Sequence, residues 1–395
     1  MTRRTPQLPP SPLRGLAATA LALSATGLAT QALASEGYKL RQSPVGAFGG
    51  EMATPADNPG FFGTVVLSVA DIYKVVDGQG NRIGVPARTV PLPLSGPTKG
   101  AVGDGVYSLS VPTGTVDFSQ RQNQVNLLGG YLTESTYGGG RIAFAINVPL
   151  ISQERTFIAA QPLGTVTPTP SAALPAALRG AISQVADVVN AQVQAGVAAQ
   201  SAAQSIKVSG VGDAELSAVW VRHEGHLKVA AGASLFLPTG NYEATRGPNP
   251  GFGNFYTLRP GVAVSYSVNP DKPGESWTSG VTVAGRVSVG LNTKNKDTQY
   301  LSGNYVYMEL GAIKVMGNWA LGANVLGIQQ FSDDSGIGAA ALPDGNRYRN
   351  FSWGPFLSYK LPGKEAGFNL HYSQNFSGRN TLVTRTTQLR FIKAW

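Results

Sequence analysis

The stretch Trp277-Thr278-Ser279-Gly280-Val281-Thr282-Val283-Ala284-Gly285-Arg286-Val287-Ser288-Val289-Gly290-Leu291 sorts by parity. Its odd positions include Trp277, Val281, Val283, Val287, Val289 and Leu291, while its even ones include Thr278, Gly280, Thr282, Ala284, Arg286, Ser288 and Gly290. Successive side chains of a strand point to opposite faces, so this segment presents one face suited to lipid and one suited to water. It is also too long for an ordinary soluble strand of about 5 or 6 residues, and long enough for a tilted membrane strand of about 9 to 11.

The same alternation recurs outward from this segment. Tyr256, Leu258, Val262, Val264 and Tyr266 oppose Thr257, Arg259, Gly261, Ala263 and Ser265, and Ile142, Phe144, Ile146, Val148 and Leu150 oppose Arg141, Ala143, Ala145 and Asn147. Phe351, Trp353, Leu357 and Tyr359, then Phe368, Leu370 and Tyr372, continue the pattern. About twelve such segments satisfy the alternation criterion. Aromatic residues gather near their ends, among them Tyr73, Phe255, Trp277, Tyr305, Trp319 and Phe331, where amphipathic rings suit the headgroup level. Links between segments alternate short and long, as outer-membrane barrels require. The short ones fall at Tyr137-Gly138, His223-Glu224-Gly225, 268–276, Gly317-Asn318 and 361–365; the long ones span 74–122, 152–212, 238–254, 292–302 and 332–347, with a brief last one at 377–381. The expected fold is all-β, a transmembrane antiparallel up-and-down barrel of about 12 strands in the bacterial outer membrane, with both termini in the periplasm.

Composition agrees. Only 13% of the 395 residues are charged, about half the share in soluble domains, while Gly reaches 49. A mean hydropathy of -0.03 is what two opposite faces give when averaged. The absence of Cys excludes disulfide scaffolds and thiolate chemistry. The net charge of +9 is spread without a run or motif, so nucleic acid is not an expected partner.

Arg3, Arg4 and Arg14 precede an Ala/Leu-rich stretch from Leu16 to Leu28, and Ala32-Leu33-Ala34 offers a small-x-small cleavage pattern. Residues 1–34 are therefore expected to be a cleavable signal peptide, 35–60 an N-terminal periplasmic or lumen-entering segment, and 61–395 the barrel, with a helical loop insert at 153–212. In that insert Leu178, Ile182, Val185, Val189, Val193 and Val197 recur at helical spacing over 175–203. The resulting amphipathic helix has two candidate seats, inside the barrel as a constriction or plug, and over its rim. Pro86 to Gly105 reads as an irregular loop. At the other end Leu389, Phe391 and Trp395 resemble the terminal signal by which such proteins reach the barrel-assembly machinery, with Lys393 departing from it.

No catalytic, metal or cofactor motif emerges, and an enzyme is not expected. His223 and His226 fall at a predicted hairpin, and His371 alternates with Asn369 and Ser373 on a water-facing side, which leaves a membrane-embedded hydrolase as an alternative. Asp333-Asp334 reads as a solvated acidic turn, the other reading being a divalent-cation or lipopolysaccharide contact. Parity directs Arg141, Arg259, Arg286, Arg390, Lys228 and Lys360 into the lumen against Glu215, Glu309 and His371. Such a lining either favours anions or pairs off internally.

Several short stretches carry a resemblance: Asn126-Leu127-Leu128-Gly129-Gly130-Tyr131, Gly139-Gly140-Arg141, Leu235-Phe236-Leu237-Pro238-Thr239-Gly240, Asn254 to Pro260, Asn292-Thr293-Lys294-Asn295 and Gln329 to Asp334. From about Gln122 onward the chain resembles the outer-membrane transporter family named after a phenol-degradation meta-pathway protein. The resemblance implies passive uptake of aromatic or other hydrophobic small molecules, with outer-membrane lipid and lipopolysaccharide as surroundings. A structural or adhesive barrel displaying long outer loops is the remaining alternative.

Overall fold

The computed structural model describes residues 41, 58–85, 87–92, 106–161, 163–244, 247–270, 276–337, 339 and 343–395. The signal-peptide residues Ala32 and Ala34 and most of 35–60 lie outside these.

Twelve strands form the barrel: β1 (Gly60–Val76), β2 (Gly114–Leu132), β3 (Arg141–Gln161), β4 (Glu215–Glu224), β5 (Leu227–Phe236), β6 (Thr257–Val268), β7 (Val281–Asn292), β8 (Tyr305–Met316), β9 (Trp319–Gln330), β10 (Arg349–Lys360), β11 (Ala366–Arg379) and β12 (Thr381–Ala394). Each pairs antiparallel with its sequence neighbours, and β1 closes the ring on β12. Closure is what removes every sheet edge, the one way strands can satisfy their backbone amides in hydrocarbon. No described helix is long and apolar enough to cross a membrane.

Side-chain direction follows the parity of the sequence. Val262, Val283, Leu310 and Leu321 are each half or more exposed on the outer face, whereas their neighbours Gly261, Thr282, Glu309 and Ala320 turn inward. Two-residue turns at Gly225-His226 and Gly317-Asn318 place glycine at the first loop position with φ of 57° and 62°, the left-handed geometry that matches strand twist in a hairpin. Aromatic pairs ring this end of the barrel. Phe61 and Tyr131 lie 5.0 Å apart, Trp319 and Tyr359 4.5 Å, and Phe368 and Phe391 5.1 Å. Strands β1, β2 and β3 run to 17, 19 and 21 residues, longer than the about 9 to 11 a tilted membrane strand needs.

A second compact unit comprises described residues within 82–118 and 156–205. Three short strands, Arg88–Pro91, Tyr107–Val111 and Thr165–Pro168, form a sheet covered by helix α1 (Ala176–Gln204). Ile182, Ala186, Val189, Val193 and Val197 pack with Leu92, Leu109, Val111 and Val166 in one core. Asn190 fixes the register: its Oδ1 accepts from Val166 N–H at 2.7 Å and its Nδ2 donates to Val166 O at 3.0 Å. The helix boundaries match the spacing, but its apolar stripe is buried on this sheet, a partner the sequence did not disclose. Arg88–Pro91 is strand where Pro and Gly content suggested irregular loop, and four residues are too few for alternation to register.

Candidate functional site

The inward positions of β4, β6, β7, β8, β9 and β11 carry a linked set of polar side chains. Arg259 Nη2 donates to Glu215 Oε1 at 3.1 Å. Arg286 Nη2 donates to Glu309 Oε2 at 2.8 Å and to the Tyr307 hydroxyl at 3.0 Å, and that hydroxyl donates to the same carboxylate. Asn324 Nδ2 donates to Glu309 Oε1 at 3.0 Å, and His371 Nε2 lies 2.9 Å from Asn324 Oδ1. The guanidinium of Arg286 stacks 4.8 Å from the Tyr307 ring, and that of Arg259 5.1 Å from the Phe236 ring. Alternation on β8 delivers Tyr305, Tyr307 and Glu309 to one face, which is why three strands can converge on a single carboxylate.

Glu215, Arg259, Arg286, Glu309, His371 and Arg390 are all buried. The first five form the set just described, and Arg390 lies in register between Val66 and Asn369. The other three basic candidates sit by the short turns. Arg141 donates to the carbonyls of Thr133 and Glu134, Lys228 lies opposite His223, and exposed Lys360 is 3.5 Å from Glu365. Of the buried arginines, Arg259 is paired with Glu215 and Arg286 with Glu309.

Arg41 was not foreseen as a site residue. It is buried among Asp213, Gly253, Phe255 and Tyr305, with its guanidinium 4.0 Å from the Phe255 ring and 2.7 Å from Asp213 Oδ2. Its remaining donors reach the carbonyls of Phe255 and Gly253, and Tyr305 OH donates to its own carbonyl. Burial lowers the guanidinium pKa, with the Asp213 carboxylate opposing that shift. Asp213 also accepts from the N–H groups of Gly240 and Phe252 at 2.9 and 2.8 Å.

Next to this anchor is a lumenal cavity of about 290 Å³. One wall is an amide ladder, in which Gln153 donates to Gln122, Gln122 to Gln124, Gln124 to Asn126 and Asn126 to Asn147, at 2.7 to 3.0 Å. The lining also includes Ile72, Leu326, Ile328 and Phe252. Inward parity on β2 could have located the ladder; nothing in the sequence joins Arg41 to Asp213.

The described residues of the long links 293–304 and 331–348 are clasped together. Tyr300 and Leu301 pair with Gly336 and Ser335, and Asp334 accepts from Tyr300 OH, Gly303 N–H, Gln330 Nε2 and Asn346 Nδ2. Asp334 is therefore a buried acceptor and not a solvated turn residue; Asp333 is exposed and 2.6 Å from Arg347. Burial raises the Asp334 carboxyl above its ordinary range, while its four donors pull the other way. His223 and His226 each face a backbone carbonyl, of Gly225 and Ser267, and no cluster able to hold a metal is found among the described residues.

Fold and lumen together define a closed antiparallel barrel of the outer-membrane type. The chain belongs to the family described as "Putative MetA-pathway of phenol degradation", whose profile matches residues 115–391. No curated protein matches the sequence. Among solved structures it is similar to an outer membrane channel of Pseudomonas putida F1, with a TM-score of 0.56 and 12% identity over 87% of this chain and 99% of that one. More distant similarity links it to the β domain of the Bordetella autotransporter BrkA, at a TM-score of 0.41 and 9% identity over 86% and 100%, and to the monoaromatic hydrocarbon channel CymD, at 0.36 and 12% over 89% and 94%.

Proposed function

We propose that the protein is an outer-membrane channel for passive uptake of small, uncharged, largely apolar compounds, aromatic ones included. The cavity carries this reading: about 290 Å³ inside a membrane barrel, lined by neutral amides and hydroxyls together with apolar side chains such as Ile72, Leu326 and Ile328. That volume is at the lower end for ligand sites, fitting a one-ring or short-chain molecule. Pairing of Arg259 with Glu215, Arg286 with Glu309 and Arg41 with Asp213 offsets these three cationic groups with a carboxylate each, which weakens their pull on passing ions. The family's description and the channel of Pseudomonas putida F1 point the same way.

In this reading the signal peptide is removed after Ala34, Leu389, Phe391 and Trp395 present the terminus to the assembly machinery, and both termini face the periplasm. Arg41, anchored on Asp213, narrows the passage. Deleting the gene is expected to slow growth on an aromatic carbon source at limiting concentration, with recovery on re-expression. Planar bilayers are expected to show a small conductance. A barrel that neither conducts nor alters such growth would refute the proposal.

A further inference from the structure

Three lumen-facing side chains on adjoining strands each hold a polar atom with no hydrogen-bond partner among the described residues. They are Ser68 Oγ on β1, Gln388 Oε1 on β12 and His371 Nδ1 on β11. Strand register sets them side by side, Ser68 opposite Gln388 and Gln388 opposite His371. Their exposures are 8%, 6% and 2%, so each is more than nine-tenths buried. Buried polar atoms are almost always paired, and one left unpaired costs free energy, so three in a row mark a place built to meet a group from outside the fold.

The hydrogen-bond chain next to them says what kind of group. Glu309 can only accept, so Asn324 turns its amide nitrogen toward that carboxylate and its Oδ1 toward His371. His371 Nε2 is thereby the donor, and Nδ1 of the neutral ring is an acceptor. Gln388 Oε1 is a second acceptor, and the Ser68 hydroxyl can serve either way. Ser68 and Gln388 front the same cavity as Ile72, Leu326 and Ile328. The charged groups on that cavity, Arg41 and Asp213, are committed to each other.

We propose that Ser68 and Gln388, with His371 beside Gln388 on the neighbouring strand, form a polar subsite that binds the O–H or N–H group of an uncharged compound while its apolar body lies against Ile72, Leu326 and Ile328. This deepens the channel reading and rests on it. A site with buried acceptors discriminates strongly against an analogue lacking the donor, because binding that analogue leaves the acceptors unpaired. The channel is thus selective for hydroxyl-bearing compounds over hydrocarbons of equal size.

The test uses the full barrel in detergent with labelled isoleucine methyls, titrated with benzyl alcohol and with ethylbenzene, two molecules of the same shape. Shifts of the Ile72 and Ile328 methyls give the affinities, and comparing wild type with variant for each compound cancels partition into detergent. The Ser68→Ala/Gln388→Met double variant is expected to bind benzyl alcohol about tenfold more weakly, the equivalent of one lost hydrogen bond, and ethylbenzene within about twofold of wild type. Heat-modifiable electrophoretic migration verifies folding, and Gln388→Met alone gives an intermediate effect. Equal binding of both compounds by wild type, or a preference that survives in the double variant, overturns the subsite alone. If neither compound moves the methyls of wild type, the channel reading falls as well.

Discussion

Arg41 and Asp213 meet across 172 positions of sequence, Nε and Nη2 of the guanidinium both donating to Oδ2, at 3.0 and 2.7 Å. The pair is buried on both sides, so breaking it by removing one partner leaves a charge without compensation, at a cost of about 3–5 kcal/mol. Arg41→Ala is therefore expected to release the anchored residue and raise single-channel conductance in planar bilayers. Arg41→Ala/Asp213→Asn is expected to match it and to be the better folded of the two. Conductance that stays at the wild-type level in both would show that Arg41 does not narrow the passage.

Glu309 is the acceptor for Arg286, Tyr307 and Asn324 at once. Replacing it with Gln leaves the Arg286 guanidinium buried beside a neutral amide and is expected to destabilise the barrel by about 3–5 kcal/mol. Replacing both residues by apolar ones of similar volume, Arg286→Met/Glu309→Leu, is expected to cost less than Glu309→Gln alone. Urea unfolding in lipid vesicles compares them; a double variant weaker than the single one would count against the pairing argument.

Asp334 accepts four hydrogen bonds and donates none. Asn at that position replaces an acceptor oxygen with a donor nitrogen facing other donors, with an expected loss of about 1–3 kcal/mol in the loop clasp. Limited proteolysis should cut 331–348 sooner in Asp334→Asn than in wild type, while the barrel keeps its heat-modifiable migration. Equal cutting rates would mean that the clasp does not depend on this carboxylate.

Val189 is 1% exposed, at the centre of the helix–sheet core. Val189→Asp buries an unpaired carboxylate there and is expected to make 163–205 protease-sensitive, a change of several kcal/mol for that unit. Because the barrel has its own inter-strand contacts, its migration on unboiled gels should persist. Loss of the barrel together with the helix would show that the two units do not fold separately.

The barrel was legible because hydrocarbon on one side and water on the other impose a two-residue period on every spanning strand, as at Val281 to Leu291. The same parity directed Arg259, Arg286, Glu215, Glu309 and His371 inward, where they meet. It could not say that they would neutralise one another, since that depends on register between strands. The terminal candidates Arg141, Lys228 and Lys360 have inward parity too, but at a strand end long basic side chains turn toward turn carbonyls or water. The small sheet escaped notice because strands of four and five residues carry too short a pattern. Arg41 lies in a stretch with no periodicity, and its role comes wholly from a partner far along the chain.

The β1–β12 seam sets the order of events in time. Fourteen residue pairs join those strands, and Trp395 N–H donates to Phe61 O beside them. Because the ring starts and ends there, circularisation waits for the last-made segment to find the first. Until then two strands bear bare amide edges that a bilayer interior will not tolerate. Nascent chains must therefore either insert and close in one concerted passage or borrow a foreign strand to shield both edges.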